Sequence, residues 1–356
     1  MKRTLALVLA LLMVLSLAAC ASTGTSSTTA GTTTAGTTTA GTTTAATTTA
    51  ANFDPADYPV AIAIGVKNHP VHRIVELGFL KAAKELGYTA EVIGTEGTDW
   101  NEVYAACDAA AATGTKGIML WAGDETAYPT LKKMKAADVA VGIAHFKFEP
   151  WPEGLTFGLA CDAAAYGKAC ADFIAERVKG KKGSIAVTQN TKNNTENAAA
   201  EAFIARMAEL NLPDVKVLPV ELEGSDLNAA TNINAAIIQK NPDIIAAFGT
   251  TGNSPVTWSD AASKAGKKPG EIVIVGMDYT EANLAKIESG ECAAIIAQPL
   301  YQEAYKTMEL LDQYFRTGSV PQWTPLEAPL VYKGGTGASD PATYKGILEE
   351  VKTWFK

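Results

Sequence analysis

The sequence predicts an α/β fold of two doubly wound parallel sheets, and two observations carry that prediction. Between residues 58 and 298, short apolar or β-branched runs alternate with longer stretches of helical spacing. Such alternation describes strands joined by helical crossovers, with helices covering both faces of a parallel sheet. Ten runs of strand type occur, and that number divides more readily between two sheets than it fills one.

The elements follow in order. The run 58–66 reads as the first strand. Val71, Ile74, Val75, Phe79, Ala82, Ala83 and Leu86 then recur at helical spacing, and Gly87 stops the helix. Strands are expected at 89–93, 117–121, 139–144 and 155–159, with helices at 100–112 and 128–136. The second half repeats the rhythm, with strands at 184–188, 215–220, 244–248, 272–276 and 293–298. Its helices fall at 163–179, 195–210, 227–239, 255–265 and 280–288. Right-handed crossovers place ligands beyond the carboxyl ends of the strands. The residues just after each strand are therefore the candidates for chemistry.

The segment before the fold has a separate character. Lys2 and Arg3 precede an apolar run at 5–17, and small residues lead to Cys20. The run is short for a membrane span of roughly 20 residues and has the shape of a secretory signal. The cysteine at the cut point resembles the lipobox of bacterial lipoproteins. That resemblance implies a leader at 1–19, a lipid on Cys20 and an extracytoplasmic chain tethered to the membrane only by that lipid; an ordinary signal with a chance cysteine is the alternative. Residues 20–52 are a Thr/Ala/Gly stalk in which AGTTT starts at Ala30, Ala35 and Ala40. From Ser22 to Ala51 it holds no charge and no aromatic ring, so it has too little to bury to offset the entropy of ordering.

The 305 residues from Asn52 to Lys356 suffice for two domains. Loss of Lys2 and Arg3 takes the formal charge from −8 to −10, which argues against nucleic acid or an anionic membrane as partner. Cys107, Cys161, Cys170 and Cys292 show no metal spacing. The Ala-rich surroundings of the first three suit buried thiols better than a disulfide framework. No Gly-x-Ser-x-Gly elbow, Walker A loop or Gly-x-Gly-x-x-Gly after a strand is present, so the reading is a binding protein rather than an enzyme, with no cofactor.

In order and spacing, several short motifs resemble type I periplasmic solute-binding proteins, the ribose and galactose binders of bacterial ABC importers. They are Asn68-His69-Pro70, the 114–118 run Gly-Thr-Lys-Gly-Ile, and Asp162 with Gly167 and Asp172-Phe173-Ile174. Val275-Gly276-Met277-Asp278 and the 293–298 run Ala-Ala-Ile-Ile-Ala-Gln complete the series. The resemblance implies two lobes joined by a three-strand hinge: 53–161 plus 299–327, and 162–298 plus 328–333, with a link and terminal helix at 334–356. It also implies a monomer that closes on a small solute, most readily a monosaccharide, and docks on an ABC permease. A sensor that presents the closed form to a receptor shares every one of these features.

A sugar calls for planar polar side chains and an aromatic face. The resemblance places Asp278 and Gln298 at ligand positions, although Asp278 also precedes Thr280 at a helix start and can be read as a cap. Asn68 falls in the loop after the first strand, where a turn role is equally natural. Asn197 stands where relatives carry an arginine, with Asn190 and Asn193 as weaker neighbours, and Thr251 and Asn253 follow the strand at 244–248. This chain departs from its relatives at Val71-His72, at Trp121 and at His145-Phe146, which moves the expected stacking onto His72, Trp121 and Phe146. Trp151 is read as surface packing or as a ring that closes over the ligand. His69, His72 and His145 are the only histidines, and together they open a second alternative, a metal or metal-chelate carrier.

Overall fold

The computed structural model describes residues 53–67, 70–97, 99–191 and 194–356. The expectations for the leader, Cys20, the stalk, Asn68, His69 and Asn193 lie outside them.

The apolar runs become central strands because helices cover both of their faces. Strand β1 (Val60–Ile64) is buried throughout and leads into α1 (Pro70–Leu86). Then come β2 (Ala90–Gly94), α2 (Trp100–Ala112), β3 (Gly117–Trp121), α3 (Tyr128–Ala136), β4 (Ala140–Ala144) and β5 (Phe157–Cys161). The second half comprises α4 (Ala163–Val178), β6 (Gly183–Gln189), α5 (Asn194–Leu210), β7 (Val215–Val217), β8 (Glu221–Leu222) and α6 (Leu227–Lys240). It continues through β9 (Ile244–Gly249), α7 (Ser254–Lys264), β10 (Val273–Met277), α8 (Glu281–Ser289) and β11 (Ala294–Ile296). The chain finishes with α9 (Leu300–Thr317), β12 (Trp323–Leu326), β13 (Leu330–Val331) and α10 (Pro341–Trp354).

Two sheets result. The first has the order β12-β5-β4-β3-β1-β2, all parallel. The second has the order β13-β11-β10-β9-β6-β7, with β8 also beside β6, and only β13 runs antiparallel. The chain passes between sheets after β5, after β11 and between β12 and β13. Alternation along β1 shows the layering: Ile62 and Ile64 face the core under α1 and α9, while Ala61 and Ala63 face α2 and α3. In the second sheet, Val187 and Phe248 face α4 and α5, whereas Ala186 and Ala247 face α6 and α7.

Two expectations shift for physical reasons. The fifth strand starts two residues later than 155, because Gly154 turns the chain at φ +95° and Leu155 packs into the α2–α3 core from the loop. The run 215–220 divides into β7 and a separate β8. Helix α9 and strand β12 add to the first lobe in a stretch where sequence pattern named no elements. All four cysteines of the described residues are unpaired, and three are buried.

Each lobe holds one helix pair closer than side chains permit. A Cβ on Gly78 of α1 would lie 2.3 Å from the Tyr301 carbonyl oxygen of α9, and one on Gly167 of α4 would lie 2.3 Å from that of Ala199 in α5. Gly167→Val therefore has to push α4 off α5. We expect a loss of about 3 kcal/mol, read as a fall of roughly 5–10 °C in the melting temperature; an unchanged melting temperature would refute the close approach.

Candidate functional site

The carboxyl ends of β4, β5 and β11 border a cavity of about 570 Å³ between the lobes. His145, Phe146, Cys161 and Trp323 line it from the first lobe, and Asp162 and Gln298 from the second. Three residues that directly follow strands here are left-handed: Ala122 at φ +63°, His145 at +73° and Asp278 at +64°. For a residue with a Cβ this conformation costs roughly 1–2 kcal/mol, so the surrounding structure must hold it. It does so through the main chain, since Ala122 N–H donates to Ala144, His145 N–H to Leu159 and Asp278 N–H to Ile296 at 2.8–3.0 Å. Each strand is thus extended by one hydrogen bond, then turned sharply at the residue that faces the cleft.

On the first-lobe side, three rings form a wall. The His72 ring meets Trp121 edge-on at 4.6 Å, and Trp121 lies 4.9 Å from His145 at a tilt of 30°. Behind them sits Glu303, fully buried in the first turn of α9. His145 Nδ1 lies 3.1 Å from Glu303 Oε2 and 3.4 Å from Oε1, and Trp121 Nε1 donates to Oε2 at 3.4 Å. A carboxylate only accepts, so the imidazole proton sits on Nδ1 and donates. Burial acts to lower the proton affinity of His145, but the charge and hydrogen bond of Glu303, with the Asp278 charge, raise it overall. His72 Nδ1 lies 2.6 Å from the Val66 carbonyl, which fixes that ring at the end of β1.

Asp278 directly follows β10; it does not line this cavity, but it lies close enough to His145 for their charges to interact. Its Oδ1 is buried and has no hydrogen-bond partner among the described residues. Burial pushes its carboxyl up to about 6, with His145 opposing the shift and Glu303 adding to it. Thr280, not Asp278, caps α8, accepting from Asn283 N–H at 3.1 Å. The cap reading of Asp278 therefore falls away, leaving an acceptor without a donor. Such a group is costly to bury without a donor.

The other sequence candidates divide sharply. Gln298 and Phe146 reach the cavity; Phe146 stands edge-on to Phe148 at 5.1 Å. Trp121 is 7% exposed with its N–H engaged, so it backs the wall rather than offering a stacking face. Asn197 Oδ1 accepts from Gln189 Nε2 at 3.1 Å. Asn190 N–H donates to Glu196 at 2.7 Å. Thr251 is drawn into a buried network around Glu223, and Asn253 Nδ2 donates to the Ser225 carbonyl at 3.1 Å. Trp151 donates to the Leu155 carbonyl at 3.2 Å and so fastens its own loop. Among the described residues no group of three or more His, Cys, Asp or Glu is placed to hold a metal ion.

Sequence reasoning missed two residues. Glu303 lies on the buried stripe Leu300, Glu303, Ala304, Thr307, Met308 and Leu311; a single carboxylate in such a stripe is a signal that was there to be read. Trp323 reaches the cavity from β12, with Lys147 Nζ 5.5 Å from its ring centroid.

The fold and the sequence both have known relatives. A family model described as periplasmic binding protein domain matches residues 60–318. The ribose import binding protein of Salmonella typhimurium is 23% identical over 283 residues, covering 77% of this chain and 90% of that protein. The D-apiose import binding protein of Paraburkholderia graminis is 24% identical over 275 residues, covering 72% and 82%. Among solved structures, a sugar-binding protein of a Bacillus halodurans sugar ABC transporter superposes with a TM-score of 0.71 at 20% identity, covering 81% of this chain and 99% of that one. A periplasmic solute-binding protein of an Actinobacillus succinogenes ABC transporter, solved with D-allose, gives 0.70 at 17% identity, covering 81% and 99%. With two doubly wound lobes, a cleft at their strand ends and a family match over most of its length, the chain belongs to the periplasmic binding protein family.

Proposed function

We propose that this protein is an extracytoplasmic solute-binding protein that captures a neutral monosaccharide by lobe closure and delivers it to an ABC permease. The observation that carries this reading is the buried, unanswered Oδ1 of Asp278 opposite the His145 imidazole. The carboxylate accepts, the imidazole offers the nitrogen that Glu303 leaves free, and a polyol hydroxyl can both donate and accept. Gln298 adds an amide, Phe146 an apolar face. The names of the relatives, which concern ribose, D-apiose and D-allose, support a sugar of five or six carbons. The charges favour a neutral guest: Glu125, Glu149 and Asp162 line the cavity against Lys147 alone, and Asp278 and Glu303 outnumber His145. A uronic acid meets repulsion there. Relatives that bind solutes for import carry out no reaction, and the same role is assigned here. The lipid on Cys20 supplies the tether in this reading, and the protein acts as a monomer.

A thermal-shift screen of monosaccharides, polyols and sugar acids tests it, because a true ligand binds the native state and raises its melting temperature. A neutral sugar should stabilise and the matching uronic acid should not; failure of every neutral sugar would end the reading. By calorimetry, Asp278→Ala should weaken the identified sugar by about 2 kcal/mol, near thirtyfold.

Protonation gives a second check. The folded value of Asp278, about 6, exceeds the usual value near 4, so its protonated form stabilises the empty protein. That contribution is complete below about pH 4 and disappears as pH rises through about 6. Chemical denaturation of the empty protein should show this decline, and Asp278→Asn should remove it. Sugar affinity runs the other way, falling as pH drops below about 6, because only the ionised carboxylate accepts from two hydroxyls. An affinity that does not change between pH 7 and 5 would separate Asp278 from the ligand.

A further inference from the structure

We propose that Glu303 is a positioning residue for recognition: by taking the Nδ1 proton of His145 it aims Nε2 at a hydroxyl of the solute, so that a sugar lacking that hydroxyl is rejected. The proposal rests on reading the cleft as the sugar site. Its basis is geometric. Glu303 is completely buried, and its two oxygens are shared between His145 and Trp121. Nδ1 is therefore occupied, and Nε2, on the far side of the ring, is the nitrogen left for a guest in the cavity that His145 lines. The backbone agrees, since the left-handed turn at His145 sets the ring on Trp121 rather than along the strand. Glu303 in turn is set by the first turn of α9, where its N–H donates to the Pro299 carbonyl at 2.7 Å. That turn directly follows Gln298, so one short segment, 298–303, supplies a contact from one lobe and the brace of the other.

The titratable groups around the imidazole are few. Asp278 interacts with it from the second lobe, and Cys161, at the end of β5, lines the same cavity. On its own loop, Lys147 and Glu149 pair with each other at 2.5 Å. Among the described residues, only Glu303 hydrogen bonds to the ring.

The test is Glu303→Gln, which keeps the shape and removes the charge. Imidazole NMR of the free protein follows His145, assigned through His145→Gln among three histidines. Its titration midpoint should fall in Glu303→Gln, with loss of the Nδ1–H preference, while the melting temperature holds or rises. Affinity for the sugar should drop by about tenfold, the scale of one charge-assisted hydrogen bond. For the deoxy analogue lacking the oxygen met by Nε2, wild type and variant should bind equally. An unmoved His145 midpoint would overturn the proposal. If no sugar binds wild type but the midpoint still moves, the brace stands and the sugar reading fails instead.

Independently of the cleft, we infer that α10 is a strap tying the two lobes together. Its first half lies on the second lobe: Tyr344 packs on Tyr279 with centroids 4.7 Å apart, and Lys345 pairs with Glu288 of α8. Lys352 also reaches back to Glu281 of α8. Its last residues reach α1 of the first lobe. Glu350 pairs with Lys81 at 2.6 Å, Arg73 lies 4.2 Å over the Phe355 ring, and Lys84 Nζ lies 5.1 Å from that of Trp354. Exposed ion pairs contribute little. The grip comes from Tyr344, buried, and from Ile347, Leu348 and Val351, which pack on the main core. Tyr279 adjoins Asp278, so the strap is anchored one residue from the proposed ligand contact.

A helix fixed to both lobes must resist a change in their separation, whereas one fixed to a single lobe cannot. Deleting 349–356 cuts the first-lobe contacts and leaves Tyr344 in place. Spin labels at Ala137→Cys and Lys216→Cys, one in each lobe, then report the separation. The deletion should broaden or shift that distance and change the sugar dissociation rate several-fold. Trp354→Ala with Phe355→Ala, which keeps the helix, should act in the same direction should the deletion fail to fold. A wild-type distance distribution in a folded variant would refute the strap.

Discussion

A buried charge persists only where neighbouring groups answer it, and the first-lobe side of the cleft is organised around that demand from Glu303. The carboxylate enters the core because its helix buries one stripe and Glu303 lies on it. The donors that meet it are the His145 and Trp121 rings, which stand at the ends of two adjacent strands. Meeting the charge therefore fixes the ends of β3 and β4 against α9 and orients both rings. The left-handed residues Ala122 and His145, each costly alone, are tolerated because this cluster and the strand ladders determine the backbone from several sides.

The second lobe also buries a carboxylate, and comparison of the two explains which polar groups are structural. Glu223 receives Asn234 Nδ2 at 2.7 Å, Thr257 at 3.2 Å, Thr251 at 3.4 Å and the Ser254 hydroxyl. Burial pushes its proton affinity up while those four bonds hold it down. Every donor comes from the chain, so nothing is left for a guest. Asp278 has the opposite arrangement: no side-chain donor reaches its buried oxygen. Satisfaction from within marks Glu223 as scaffold for the loop after β9. Its absence at Asp278, among the described residues, is what the proposed ligand contact rests on.

The same contrast explains what the sequence disclosed. Apolar runs located nearly all strands to within a residue or two because burial on both faces leaves a pattern that needs no partner to be recognised. Gln298, at the end of such a run, reaches the cavity, and Asp278 directly follows one. Thr251 and Asn253 also follow a run, yet their short side chains reach Glu223, their own loop and the Ser225 carbonyl. The difference depends on Glu223, almost 30 residues away, and no local pattern records it. Trp121 was correctly placed at a strand end but its N–H belongs to Glu303, a partner 182 residues distant. Glu303 itself escaped because an amphipathic helix normally hides its charges on the outer face.

The two halves of the cleft also differ in what they need from a closing motion. Glu303 and His145 balance each other whether or not a guest is present, so the first lobe offers a ring whose orientation is preset. Asp278 is balanced only in part by His145 from across the gap. As closure excludes water, the partner it loses has to be replaced by a solute hydroxyl, and a solute without one leaves an ionised carboxyl unpaired. That penalty, about 1–3 kcal/mol or more for a charged group, falls entirely on the closed state. If Asp278 is the contact proposed above, recognition of the right guest and willingness to close become one free-energy term.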